Sequence, residues 1–234
     1  MGKSHATRWA SDSPTPAQLK EFFAQIESGK ITGPNLQDFL RGKNGKEEST
    51  NHFELLREQE RFYKEVWGVG LDLSHEKIPD LSAGVEEGFG WILYMMEGRT
   101  TYKIWDKLSE RIKTYKYIGN LESITSDRDP QNGGYIIRLR DRVEADEELK
   151  NKSADDLKHE GISGITLPER LQLELFYHWK TGGHLDLENV TLCSGSRSLD
   201  GSVPRVHWYG DRLDLDWYDA HRRGDYLRSR LAVS

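Results

Sequence analysis

"VPRVHWYGDRLDLDWYDAH", residues 203–221, decides how the C-terminal part of this chain is read. Gly210-Asp211 is a two-residue turn signal between two runs of alternating character. Side chains of a strand point alternately to its two faces. Val206 and Trp208 then share one face of the first run, and Leu213, Leu215 and Trp217 share one face of the second. Arg205, His207, Tyr209, Asp214, Asp216 and Tyr218 fall on the other. The stretch therefore predicts an antiparallel hairpin with one face in the core and one in water. Burying the two leucines and Trp217 while leaving Asp214 and Asp216 solvated sets the register, because a slip of one residue exchanges the faces.

The polar face is also the first place to look for chemistry. His207 lies across from Asp214 or Asp216, with Asp219 and His221 beyond. A histidine with two or three carboxylates suits a hard or borderline divalent metal. Carboxylates beside Trp and Tyr suit glycoside hydrolysis, where one acid protonates and a second attacks or activates water. His207, Asp214, Asp216 and Asp219 are thus the candidate catalytic residues. Neither spacing is a recognised signature, and a solvated hairpin explains every residue of the stretch. "HRRGDYLRSR" (221–230) adds four arginines and an anion or phosphate site as a further option.

Upstream, the punctuation is helical. In "TPAQLKEFFAQIESGK" (15–30) Thr15 is an N-cap, Pro16 opens the helix, Gln18 completes a capping box and Gly29 ends it. Leu19, Phe22, Phe23 and Ile26 form one stripe. "TGPNLQDFLRG" (32–42) repeats the device with Leu36, Phe39 and Leu40. The pair predicts an N-terminal helical hairpin, docked through Phe22, Phe23, Ile26, Phe39 and Leu40. Residues 42–51 read as a polar linker, giving an accessory over 1–48, whose first 13 residues read as a tail, and a core domain over 49–234.

Within the core domain a helix is expected over about 52–67 and a short strand at "VGLDL" (69–73). "GWILYMMEG" (90–98) is the most apolar run and predicts a strand buried on both faces. A helix over 100–113 and strands over 115–124 and 134–140 follow, the last two separated by the turn residues of "SDRDPQNGG". Ser153 with Asp156 caps a short helix, and Thr166 with Glu169 caps a long one that Gly182 ends. Residues 184–234 read as short strands. Strands and helices mix without regular βαβ alternation, so the fold class is α+β, with a central mixed segment and C-terminal antiparallel strands.

Mean hydropathy is −0.76, yet seven Trp and ten Tyr favour a packed protein over a disordered one. The net charge of −6 weighs against a nucleic-acid binder as a whole, leaving only a local patch open. No run approaches a membrane span, no secretory signal opens the chain, and one cysteine excludes an intrachain disulfide, so a cytoplasmic location is expected.

Cys193 needs a base to act as nucleophile, and His178 or His184, oriented by Asp186, lies upstream. A cysteine in "VTLCSGS" is more simply a small buried hydrophobe. Asp127, Asp129 and Asn132 in "DRDPQNGG" echo a calcium loop, but the glycine falls one place late and the closing Glu is missing, so the stretch reads as a turn.

The stretches "SDSPTPAQLKEFFAQIESGKITGPNLQDFLRG", "SDRDPQNGGY", "RDRVEADEELKNKSADDL", "GITLPERLQLELFY", "HLDLENVTLCSGSRSLDGSVPRV" and "LRSRLAVS" carry a resemblance to a group of short bacterial proteins from candidate-phylum lineages. It covers nearly all of the chain. That group has no established activity, so the resemblance implies an origin and transfers no site residue and no cofactor. Three functions follow in order: a non-enzymatic interaction protein with a protein partner at the N-terminal helices; a hydrolase, metal-assisted or acting on sugars, at the 205–221 face; and a nucleic-acid binder using Trp208, Tyr209, Trp217, Arg222 and Arg223.

Overall fold

The computed structural model describes residues 16–29, 45–81 and 88–234, with side chains from 19 in the first segment and from 52 in the second. The chain divides into a unit of residues Met1–His52 and a unit of residues Phe53–Ser234. In the first unit α1 (Pro16–Glu27) starts at the expected proline, and Gly29 follows with φ of 74°. The second helix of the expected hairpin, with Phe39 and Leu40, lies outside the described residues. Phe22 and Ile26 are half-buried, while Leu19 and Phe23 are exposed.

α2 (Gly45–Phe62) starts earlier than expected, inside what reads as a polar linker. Its Lys and Glu residues are good helix formers, and they outweigh the linker-like polarity. A π-turn (Tyr63–Trp67) ends it at Gly68, which has φ of 68°. The strand expected at 69–73 is absent: this segment is coil, and Leu73 N–H donates to Glu60 Oε1 of α2 at 2.9 Å rather than to a ladder.

β1 (Trp91–Met95) is the interior strand the apolar run predicts, and it pairs antiparallel with β4 (Tyr135–Leu139). Its second edge is closed by side chains of α2 and of the π-turn that ends it. Gln59 donates to Ile92 O (2.9 Å) and accepts from Tyr94 N (3.1 Å), and Tyr63 Oη donates to Tyr94 O (2.8 Å). Unpaired buried backbone is costly, so a helix carrying an amide and a phenol substitutes here for a missing strand.

α3 (Thr101–Ser109) buries Ile104, Trp105 and Leu108. Of the strand expected over 115–124 only β2 (Thr114–Lys116) forms, because Asn120 accepts from Glu122 N and starts a 3-10 turn at Leu121–Ser123. β3 (Thr125–Ser126) pairs with β6 (Ser196–Arg197). α4 (Ala154–His159) and α5 (Leu167–Thr181) both start in the capping boxes read from the sequence. Every residue of α5 from Leu167 to Phe176 is buried, so this helix is the axis of the core.

The remaining strands are β5 (Val190–Leu192), β7 (Val203–Tyr209), β8 (Arg212–Tyr218) and β9 (Leu227–Arg228). With β2 they form a five-stranded sheet in the order β2-β8-β7-β5-β9. The β7–β8 hairpin has the expected two-residue turn, with Tyr209 opposite Arg212. The sheet is not wholly antiparallel: β2 lies parallel to β8, and β5 parallel to β9. Among the described residues no helix is long and apolar enough to cross a membrane.

Candidate functional site

The hairpin register puts Arg205 opposite Asp216 and His207 opposite Asp214 on the outer face of the sheet. On the inner face Leu213 and Leu215 are fully buried, and Trp217 packs half-buried against the core. The arrival of β2 beside β8 extends one cross-strand row to Tyr115, Asp214 and His207.

That row corrects one expectation. Asp214 is buried, at 3% exposure, not solvated. Arg212 donates to both of its oxygens, at 2.7 and 3.2 Å, and the guanidinium lies 4.7 Å over the Tyr115 ring. Asp216 is half-buried, takes Arg205 Nη2 at 2.6 Å, and Arg205 in turn covers the Tyr218 ring at 4.9 Å. The face is thus a ladder of self-compensated ion pairs roofed on tyrosines. Asp214→Asn should lower stability more than Asp216→Asn does in urea titrations. Equal losses would mean that burial of Asp214 is not what binds Arg212.

His207 is half-buried, and its Nδ1 is buried without a hydrogen-bond partner. Burial first, then the Arg205 charge, lowers its pKa, against the opposing pull of Asp214 and Asp216. The unfolded chain therefore takes up this proton first, below about pH 6.5. His207 contributes stability above that pH and loses it as pH falls through the lowered folded value. Thermal melting between pH 8 and 5, as an order-of-magnitude window around that value, should show a shallower acid-side loss in His207→Gln.

Asp219 sits past the end of β8, exposed and paired at 2.8 Å with exposed His221. The four candidate residues therefore do not form one cluster: His207 and Asp214 face each other, Asp216 serves Arg205, and Asp219 stands apart. Among the described residues no group of three His, Cys, Asp or Glu is placed to hold a metal. Asp127, Asp129 and Asn132 form a turn at Pro130–Asn132, with Asp129 capping it.

A second constellation lies inside. Arg170 and Glu174, one turn apart on α5, are fully buried and 2.9 Å apart. Arg170 also pairs with buried Asp186 (2.8 Å), which pairs with buried Arg230 (2.7 Å). Burial would raise the Asp186 pKa, but the Arg230 and Arg170 charges win and hold it below the ordinary carboxylate range. Glu174 continues the chain outward, taking His184 Nδ1 at 3.0 Å and Trp208 Nε1 at 3.3 Å.

Asp186 is therefore not a partner of either histidine, and Glu174 takes the role that the sequence reading considered for it. Cys193 is fully buried, and burial pushes its thiol pKa up, which leaves a packing residue and no nucleophile. Glu174 and the Gly183 carbonyl can only accept, so His184 and His178 both donate from Nδ1. Their rings stack 4.8 Å apart at 7°. Lone pairs in near-parallel planes do not converge on one ion. The four-residue spacings Arg170–Glu174–His178 are visible in the sequence, but nothing local announces Asp186 and Arg230 as their partners.

No family model, curated protein or solved structure matches the chain.

Proposed function

We propose that this chain is a non-enzymatic binding protein whose ligand surface is the outer face of the five-stranded sheet. One observation carries the reading: Tyr115, Tyr117 and Tyr209 are 47%, 57% and 67% exposed around the Arg212–Asp214 pair. Tyr115 and Tyr117 rings are 4.7 Å apart, edge to face. Tyrosine and arginine dominate binding surfaces because they offer large, amphipathic contact area. The Arg212–Asp214 pair holds the Tyr115 ring in place before a ligand arrives, which lowers the entropy cost of binding.

Hydrolysis at this face ranks lower. Both oxygens of Asp214 and one of Asp216 are already taken by guanidiniums, and the other Asp216 oxygen accepts from Trp217 N–H, so each carboxylate acts as an anchor for its arginine. The exposed Leu19 and Phe23 of α1 keep this helix as a second partner surface, for another protein. A reduced, buried Cys193 fits the cytosol. The bacterial resemblance fits this reading as an origin only.

Hydroxyl-radical labelling tests the proposal. Tyr115, Tyr117 and Tyr209 should label several-fold less in a concentrated lysate of the producing cells than in dilute buffer. Tyr226, as exposed as Tyr115 but bonded through its hydroxyl to Tyr218, serves as the control. Equal labelling of all four in both media removes the reading.

A further inference from the structure

We propose that the β2 edge of this face binds single-stranded nucleic acid, with phosphates on Arg111 and Lys113 and a base stacked on one ring of the Tyr115–Tyr117 pair. The inference rests on the sheet-face reading and assigns its ligand class.

The first support is charge. The chain carries −6 overall, yet residues 99–116 hold six basic side chains against two acidic ones. Lys103, Lys107 and Arg111 recur at four-residue spacing, while Ile104, Trp105 and Leu108 take the core side of α3. The second support is shape. A shallow, open depression of about 590 Å³ lies between the end of α3 and β2, lined by Arg111, Lys113, Tyr115 and Arg212, with Glu110 as its one acidic wall.

The third support is which of these cations are free. Arg212 is committed to Asp214 and to the Tyr115 ring, so it fixes the platform. Among the described residues Lys113 pairs only with Asp211, and both side chains are about three-quarters exposed, so a phosphate can replace the carboxylate. Arg111 is exposed and makes no ion pair among the described residues.

Uncompensated positive charge selects an anion, and an exposed aromatic pair beside it selects one with accessible planar faces. A single strand offers both along its length, whereas a duplex hides its base faces. The acidic pI argues against this ligand only when charge is averaged over the whole chain. Trp208, Trp217 and Arg223 are not part of it: the two tryptophans are half-buried, Trp208 being bonded to Glu174, and Arg223 is paired with Asp156 at 2.6 Å.

Fluorescence anisotropy with labelled oligo(dT) and oligo(U) of about a dozen nucleotides gives the test. Binding is expected in the roughly 1–100 µM range at low salt, with a log–log salt slope of about −1.4 for two phosphates on a single strand. Arg111→Glu with Lys113→Glu should weaken it about ten-fold or more, and Tyr115→Ala about five-fold or more, with Tyr115→Phe retaining affinity. These sites are exposed, so the variants are expected to fold, which their melting curves check. A duplex of equal length bound as tightly, with no effect of Tyr115→Ala, would refute the stacking role and with it the proposal. No binding of either oligonucleotide overturns it as well. In that case, persistent protection of the tyrosines in lysate would leave the binding face standing with another ligand, and loss of protection would remove both.

Discussion

Asp186→Ala is expected to destabilise the chain by about 3–5 kcal/mol, because it leaves two buried arginines without their shared anion. Arg170 and Arg230 are 0% and 1% exposed, and Asp186 is the partner they have in common. Water does not reach either guanidinium to replace it. Against a total stability of about 5–15 kcal/mol for a protein of this kind, the loss is a large fraction. Urea denaturation reads it directly, and a loss under about 1 kcal/mol would show that the network relaxes or hydrates.

The same residue predicts acid behaviour. Its folded pKa is lowered from the unfolded value of about 3.9. Its stabilisation is thus fully present above about pH 4 and is lost as pH falls through the lowered value. Asp186→Asn should flatten that acid limb while leaving the shape of the neutral region unchanged.

What local sequence encodes, and what it does not, divides cleanly in this protein. The hairpin turn at Gly210-Asp211 and the alternation of Leu213, Leu215 and Trp217 are nearest-neighbour patterns, and the observed register follows them. The two capping boxes and the apolar run of β1 are equally local. Asp214 shows the limit. Its burial depends on β2, a strand from a distant part of the chain that pairs parallel to β8 and brings Tyr115 alongside. No pattern within 203–221 encodes that arrival. The failed strand at 69–73 has the same cause, since a carboxylate of α2 takes the backbone N–H that a ladder would have used. Likewise the Glu174–His184 contact is invisible without the turn at Gly182 and Gly183 that folds His184 back along α5.

Glu169 combines both kinds of information and carries the second large effect. From sequence it is the closing residue of a capping box with Thr166, a role worth about 1 kcal/mol. In the fold the same carboxylate is fully buried and also takes Arg128 through two bonds, at 2.7 and 2.8 Å, and Tyr135 Oη at 3.1 Å. Arg128 then reaches Ser163 and the Gly164 carbonyl, so the cap ties α5 to the loop before it and to the turn after β3. Burial first, then Glu169 itself, raises the Tyr135 pKa, so this phenol stays a donor to the carboxylate. Removing Glu169 therefore strands a mostly buried guanidinium as well as uncapping the central helix. Glu169→Ala should cost about 3–5 kcal/mol, several times the value of a cap alone. Glu169→Gln keeps an acceptor for Thr166 N–H but removes the charge under Arg128, and should fall between the two. Asp156→Ala, at the closing position of the capping box of α4, also releases Arg223, but that guanidinium is 62% exposed and hydrates, so this control should cost far less. Urea titrations of the three variants decide the matter: if Glu169→Ala costs no more than Asp156→Ala, the buried clamp on Arg128 contributes no more than the exposed one on Arg223.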